Sequence, residues 1–503
     1  MKARLTVNRL FVIGEAEKEL WGGFIEQMGR AIYTGIYEPE HPLADEQGFR
    51  KDVIELIKEL DMPLTRYPGG NFVSGYNWKD GIGPVEERPV RAEYAWKALE
   101  PNKVGIHEFI DWCRKANTEP IYAVNLGTDT PKSAQEIVEY CNMEGGTYWS
   151  ELRKKNGAEA PFNIRYWCLG NEADGEWQIG HMTAGEYGRK AHETAKMMRM
   201  VDKNIKLTIC GTSHISLPTY GKWDYEVMRH VFDEVDFLSI HLYFGNNTKD
   251  YKRFFAHAEL LDINIENAIA CCDCVAAERK SLKKVMISLD EWNVGYRCSE
   301  ETIKTPPWNI GRDVNEEIYD MADVITDGCA MLSMLDHADR LKIGCLAQSV
   351  NVIAPVMTRA GGGSWRQTIF YPFRETSRYG RGTVLRGVLD SPSYEEPSFF
   401  SCKVNYLRST AVWRKEAGEV TVFAINRAAE TMEFEAVLEN FVPEGIAGAV
   451  EIHHESLEAI NTEYDEQVCT RDIAPARYSL EGNMLKAELK PYSWNMFRIK
   501  VGQ

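Results

Sequence analysis

The sequence predicts an α/β protein, a closed (β/α)8 barrel followed by a C-terminal antiparallel β-sandwich, and three observations carry that reading. Eight short apolar runs, each ending in polar residues, alternate with stretches of helical period between about residues 18 and 379. From about Gly380 the period changes to two, as in strands with one face in water. The Gly-x-Gly-x-x-Gly turn that would follow the first strand of a doubly wound open sheet is missing, so the closed barrel is the better reading.

Taken in order, Ala3, Leu5 and Val7 alternate with Arg4, Thr6 and Asn8, the pattern of a half-buried antiparallel strand. Such a strand has no place in a parallel barrel, so residues 1–17 are expected to join the C-terminal sheet. The barrel opens with Gly22-Gly23-Phe24-Ile25-Glu26, a buried strand closed by a carboxylate. A helix over 49–60 follows, with Val53, Leu56, Ile57 and Leu60 on one face. The second strand, Pro63 to Tyr67, runs into the turn residues Pro68-Gly69-Gly70-Asn71. Helices over 107–116, 133–141, 185–201, 223–232, 263–281 and 319–338 precede six further strands. Those begin at Ile121, Tyr166, Leu207, Phe237, Val285 and Lys342. Right-handed crossovers bring all eight carboxyl ends to one face. Gly361-Gly362-Gly363 reads as a plain loop. The barrel is assigned to 18–379 and the sandwich to 380–503, with strands at 420–426, 432–436, 485–489 and 494–499.

A chain of 503 residues is too long for one compact core, which fits two domains of unequal size. Lys and Arg number 58 against 75 Asp and Glu, a net charge of −17. Nucleic acid and anionic membranes call for a basic surface, so neither is expected as a partner. Met1 to Arg9 lacks the continuous apolar region of a signal peptide, and a cytoplasmic location is expected. The twelve cysteines are scattered, and buried free thiols are the simpler reading. Cys271-Cys272-Asp273-Cys274 lies in a helical stretch without a second pair at zinc spacing, so helix packing explains it better than a metal. Asn246-Asn247-Thr248 matches a glycosylation sequon that has no use in the cytoplasm.

If the barrel closes, the residues ending its strands face one another: Glu26, Arg66 with Asn71, Asn125, Asn171 with Glu172, His241 with Tyr243, Asp290 with Glu291, and Gln348. Glu172 and Glu291 close strands four and seven and can approach across the mouth. Carboxyl groups about 5–5.5 Å apart serve retaining glycoside hydrolysis, one as nucleophile and the other as acid and then base. A lone strand-end Glu can equally be a structural acceptor. Trp78, Trp167 and Trp292 read as core, whereas Trp96 and Trp177 beside strand-end loops could stack on a sugar. His241 and His181 are more simply hydrogen-bonded structural histidines. Glu172, His241 and Glu291 could form a metal site in principle, but no dense ligand motif supports one.

These residues carry a resemblance. Trp167-Cys168-Leu169-Gly170-Asn171-Glu172, with Leu289-Asp290-Glu291-Trp292-Asn293, is similar to the catalytic pair of glycoside hydrolase family 51, the α-L-arabinofuranosidases. Phe24-Ile25-Glu26, Arg66 to Phe72, Gly81 to Pro84, Asn125 to Thr128, Leu346-Ala347-Gln348, Asn351 to Pro355 and Tyr379 to Gly382 resemble the same family. The resemblance implies a TIM barrel with a C-terminal sandwich that removes terminal arabinofuranose from arabinan, arabinoxylan or their oligosaccharides with retention. It makes Glu172 the acid/base and Glu291 the nucleophile, with Arg66 and Tyr243 bonding the nucleophile. Glu26, Asn71, Asn171 and Gln348 would hold the furanose hydroxyls, and Trp96 a wall of the pocket. It implies no cofactor, no metal and a homo-oligomer, in many members a hexamer. An endoglucanase of the same clan and a non-catalytic carbohydrate-binding protein are the alternatives.

Physical roles agree with this assignment. A cation at Arg66 keeps a neighbouring carboxylate nucleophilic, while Glu172 needs an apolar or anionic setting, with Glu291's charge contributing, to raise its pKa and hold a proton. The sequence departs from the family around the rim. Gly295-Tyr296-Arg297 follows Val294 where an aromatic is usual, Ala173 and Glu176 stand where Met and Pro are common, Leu242 and Phe244 flank Tyr243, and Asp129 replaces a basic residue. These changes leave the leaving-group preference open.

Overall fold

A computed structural model describes every residue except Phe399, Ser401 and Gln503. Eight parallel strands close into a barrel in chain order: Gly22–Phe24, Leu64–Tyr67, Glu119–Val124, Tyr166–Leu169, Lys206–Cys210, Phe237–Phe244, Met286–Val294 and Leu341–Ala347. The last pairs with the first, Cys345 opposite Gly22 and Ala347 opposite Phe24. Inward side chains such as Phe24, Leu64, Ile121, Ala123, Cys168 and Ile343 fill the interior, so the barrel is a packed core and not a pore. A larger apolar layer joins the outer faces of the strands to the surrounding helices.

Helices cover the strands where the 3.6-residue period placed them, at Lys51–Leu60, Ile106–Ala116, Pro131–Asn142, Ala184–Val201, Lys222–Val231, His257–Glu278 and Met321–Asp336. Thr130, Thr183 and Asp320 cap three of them, each side chain accepting a backbone N–H of the first turn. Three helices were not expected, Tyr148–Lys155, the short Tyr251–Phe255 and Phe370–Tyr379, the last of which completes the eighth unit. The triple glycine is the turn of a short hairpin between Val356–Thr358 and Ser364–Arg366 rather than a plain loop. In the Cys271 to Cys274 stretch, Cys272 is buried, Cys271 half-buried and Cys274 exposed on one helix.

The first strand is longer than its alternation suggested, Lys2–Ala16, and it joins the C-terminal sheet. It pairs antiparallel with Gly382–Asp390 and parallel with Met432–Glu439, so the sheet of ten strands is antiparallel in all but that pair. The sheet curls around a core of its own that includes Leu5, Val7, Val420, Val422, Phe434, Leu485 and Ile499. Helix Met321–Asp336 is buried from Met321 to Leu335 and packs against both the barrel and this sheet. A largely apolar helix buried on every face belongs in such an interior position, and of its few polar side chains Asp323 is paired with Arg297.

Candidate active site

Strand four ends in a turn that only a few residues tolerate. Gly170 has φ +89°, a left-handed conformation that costs glycine nothing, and Glu172 is itself held at φ +40°. The Glu172 carboxylate is thereby aimed into a cavity of about 290 Å³ at the carboxyl ends of the strands. Its Oε1 accepts from His241 Nδ1 at 2.9 Å and its Oε2 from the Trp177 indole at 2.6 Å. Burial acts to raise the Glu172 pKa, but the donations from His241 and Trp177, with Arg66 beyond, outweigh it and hold the pKa below that of an ordinary glutamate. The expectation that this residue's surroundings raise its pKa is therefore corrected: a cation, and not only the Glu291 charge, sits beside it.

Glu291 is buried near the end of strand seven. Its Oε1 accepts from Arg66 Nη1 at 2.6 Å and its Oε2 from the Tyr243 hydroxyl at 2.8 Å. The Arg66 side chain, fully buried, lies over the Phe24 ring and gives its other terminal nitrogen to Asn171 Oδ1 at 2.7 Å. Carboxylate oxygens of Glu172 and Glu291 and a ring nitrogen of His241 all lie within 4.8 Å of one another.

His241 is more than a structural histidine. Its Nδ1 faces Glu172 and, at 3.6 Å, Glu291, while Nε2 faces Asp290 at 3.3 Å. Burial lowers its pKa, but the three carboxylates prevail and push it up to about 10. Asp290 also accepts from Ser239 and lies 3.6 Å from Arg66 Nε. Glu172, His241 and Glu291 are the one group among the described residues whose ligand atoms come this close. A protonated imidazole and the Arg66 cation suit that group to hydrogen bonding and not to holding a metal ion.

Of the remaining expected residues, Glu26, Asn71, Trp96 and Gln348 line the cavity, whereas Asn171, Asn125 and Trp177 do not. Glu26 Oε1 accepts from the Phe72 amide at 2.8 Å and from Trp96 Nε1 at 2.9 Å, and burial pushes its pKa up to about 8. Gln348 Oε1 accepts from the Glu26 amide at 2.9 Å. Asn71 and Trp96 complete that wall. Asn171 does not line the cavity; it stands behind it, between Arg66, Asn71 and Gln178. Asn125 is engaged with the Tyr76 carbonyl and Thr128. At the rim, Ala173 is buried and Glu176 exposed, while Gly295 opens onto the cavity. Trp177 is 51% exposed, beside the acid it bonds. Sequence reasoning touched Tyr296 and Ile353 only within the rim and motif stretches and missed Cys298 and Glu317; all four line the same cavity. They sit in loops, where no periodicity marks them.

Opposed carboxylates at this spacing on a (β/α)8 barrel are the chemistry of glycosidic-bond cleavage, and the protein is in class a glycoside hydrolase. Comparison narrows the class. Residues 56–259 match the α-L-arabinofuranosidase 1 domain and residues 290–493 the α-L-arabinofuranosidase C-terminal domain. The chain is 48% identical over 499 residues to the intracellular exo-α-(1→5)-L-arabinofuranosidase 1 of Bacillus subtilis, covering 99% of each. It is 43% identical to the exo-α-(1→6)-L-arabinofuranosidase of Bifidobacterium longum, covering 99% of this chain and 97% of that one. The structure of a family 51 α-L-arabinofuranosidase from Bifidobacterium longum superposes with a TM-score of 0.94, 35% identity and 99% coverage of both chains. The chain belongs to the α-L-arabinofuranosidases of glycoside hydrolase family 51.

Proposed function

We propose that the protein is an intracellular, exo-acting α-L-arabinofuranosidase that removes terminal arabinofuranosyl units from arabinan, arabinoxylan or their oligosaccharides by double displacement with retention. The observation that carries the mechanism is the approach of the Glu172 and Glu291 oxygens to within 4.8 Å, too close for the water that an inverting enzyme places between them. The cavity of about 290 Å³ is at the small end of ligand sites, which run from roughly 300 to 1,000 Å³. It suits one terminal sugar better than a polymer cleft and so disfavours an endoglucanase. The names of the relatives support an intracellular location and action on 1→5 linkages, with 1→6 as the second reading.

Glu291, oriented on both oxygens by Arg66 and Tyr243, attacks the anomeric carbon. The bond to the leaving oxygen breaks as Glu172 delivers a proton to it. That proton is held jointly by Glu172 and His241, since transfer along the Nδ1 to Oε1 hydrogen bond turns the carboxylate into an acid. Attack neutralises Glu291 and Glu172 is left as the base. It then takes a proton from water, whose oxygen displaces Glu291 and releases arabinose. Glu26, Asn71, Trp96 and Gln348 hold the furanose, and Asn171 steadies Arg66. No cofactor enters these steps. A homo-oligomer, hexameric by resemblance, is supported by Leu10 and Phe11, 74% and 60% exposed where the first strand leaves its partners. Sedimentation at six times the 57.4 kDa chain would bear out the hexamer.

Substitution tests the roles. Glu172→Ala is expected to lose most activity on 1→5- and 1→6-linked arabinobioses and much less on an aryl arabinofuranoside, with turnover restored by azide. Equal loss on both substrate types removes the acid/base role. Glu291→Ala is expected to be inactive on all of them, and the ratio of rates on the two disaccharides in the native enzyme decides the linkage.

A further inference from the structure

Three successive amides in the loop after strand seven converge on one oxygen. The backbone N–H groups of Tyr296, Arg297 and Cys298 donate to Glu317 Oε1 at 2.8, 2.6 and 3.0 Å. This is an anion nest filled by the protein's own carboxylate. Glu317 is 2% exposed, and its Oε2 has the Arg297 guanidinium 3.6 Å away. Arg297 in turn reaches Asp320 and Asp323 at the start of helix Met321–Asp336, each at 3.0 Å. The chain around Glu317 is fixed independently: Gln367 donates to its carbonyl at 2.9 Å and Ile353 N to the Asn315 carbonyl at 2.8 Å.

What the nest holds is the pocket wall. Gly295, Tyr296, Cys298, Glu317 and Ile353 all line the cavity that Glu172 and Glu291 share. Gly295 is not demanded by its backbone, which has no positive φ, nor by crowding. A Cβ there would stand 3.6 Å from Ile353 and 3.8 Å from Tyr243, ordinary contact distances. The missing side chain therefore keeps the loop thin where it lines the cavity. A loop without side-chain bulk at that point depends on its backbone anchors for its position, and the Glu317 carboxylate supplies three of them at once.

We propose that Glu317 is a positioning residue for the reaction: by clamping residues 296–298 it sets the stretch of pocket wall that Gly295, Tyr296 and Cys298 form and thereby the fit of the terminal sugar. The proposal rests on the glycosidase reading of this site. It assigns Glu317 no contact with the reacting atoms. Its effect runs through the loop, and a one-ångström shift of such a wall costs up to about 10²-fold in catalysis.

The test uses Glu317→Ala and Glu317→Gln in the full chain, with Cys298 as a built-in reporter. Glu317→Ala is expected to raise KM for arabinobiose on the order of tenfold or more with a smaller change in kcat, whereas mere loss of folded enzyme lowers the apparent kcat and leaves KM alone. Glu317→Gln keeps an oxygen for the three amides and is expected to restore KM. Alkylation at Cys298, followed by peptide mapping, is expected to be slowed by arabinose in the native enzyme and in Glu317→Gln, but not in Glu317→Ala. Comparing each variant with and without arabinose cancels the effect of the Glu317 charge on the thiol. Should Glu317→Ala not fold, Glu317→Asp, one methylene short of the nest, is expected to raise KM and weaken protection in the same sense. An unchanged KM in the alanine or aspartate variant, failure of the glutamine to rescue, or no protection of Cys298 in the native enzyme overturns the proposal. Protection of Cys298 without turnover of any arabinofuranoside would instead sink the functional reading and leave the wall in place.

Discussion

At the scale of single residues, His241 decides how the two glutamates share charge. It is a buried cation among Glu172, Asp290 and Glu291, and these raise its pKa to about 10 from an ordinary value near 6.5. A raised pKa stabilises the fold fully below the ordinary value and loses that contribution as pH rises through the folded value. Native protein is therefore expected to lose melting temperature between about pH 6.5 and 10 more steeply than His241→Gln, measured by calorimetry across that range. The same substitution leaves Glu172 to titrate alone, buried beside Glu291. The alkaline limb of kcat/KM should then move to lower pH, and an unmoved limb would separate His241 from the proton.

At the scale of elements, helix Met321–Asp336 shows packing overruling propensity. A Cβ on Gly328 would come within 2.7 Å of Trp494 and 3.0 Å of Ile425, both on the curled sheet. Gly328→Ala gains up to about 1 kcal/mol of helix propensity, but overpacking costs about 1–3 kcal/mol. Net destabilisation is expected in urea unfolding, and a stabilised variant would mean the sheet yields. The barrel strands were legible because each is an apolar run bounded by turn residues, and buried parallel strands cannot look otherwise. Helix Tyr148–Lys155 was not, since only Ser150 and Arg153 are buried on it and no apolar stripe exists to read. Phe370–Tyr379 hides behind Pro372, which a helix tolerates in its first turn. The site divides the same way. Glu26, Arg66, Glu172, Tyr243, Glu291 and Gln348 end strands and could be found by that position. Glu317, Cys298 and Ile353 act from loops, and the cation beside Glu172 depends on contacts between strands four and six that one sequence does not display.

At the scale of the whole molecule, ion pairs join barrel to sheet, with Arg427 fully buried and Arg408 half-buried. Arg427, on the loop after strand Glu419–Asn426, grips both oxygens of Glu259 at 2.9 Å, and Arg408 reaches Asp262 at 2.8 Å and Asp336 at 2.7 Å. Removing Arg427 leaves the mostly buried Glu259 carboxylate without its partner, a loss that approaches the roughly 3–5 kcal/mol of a fully buried pair. Arg427→Ala is expected to lower the melting temperature and to separate the transitions of barrel and sheet in calorimetry. One unchanged cooperative transition would show that the apolar contacts of helix Met321–Asp336 suffice to couple them.

The strand Lys2–Ala16 leaves the ribosome long before the partners it needs. Arg4 and Glu435, which pair across the sheet, are 431 residues apart. At about 5–20 residues per second the first strand waits roughly 20–90 s for that neighbour. By the end of that interval the barrel sequence is complete, and for most of it Leu5 and Val7 have no core to enter. The nascent chain must therefore carry an unpaired, partly apolar strand through most of its synthesis, a period in which chaperone capture or mispairing between neighbouring chains competes with closure of the sheet.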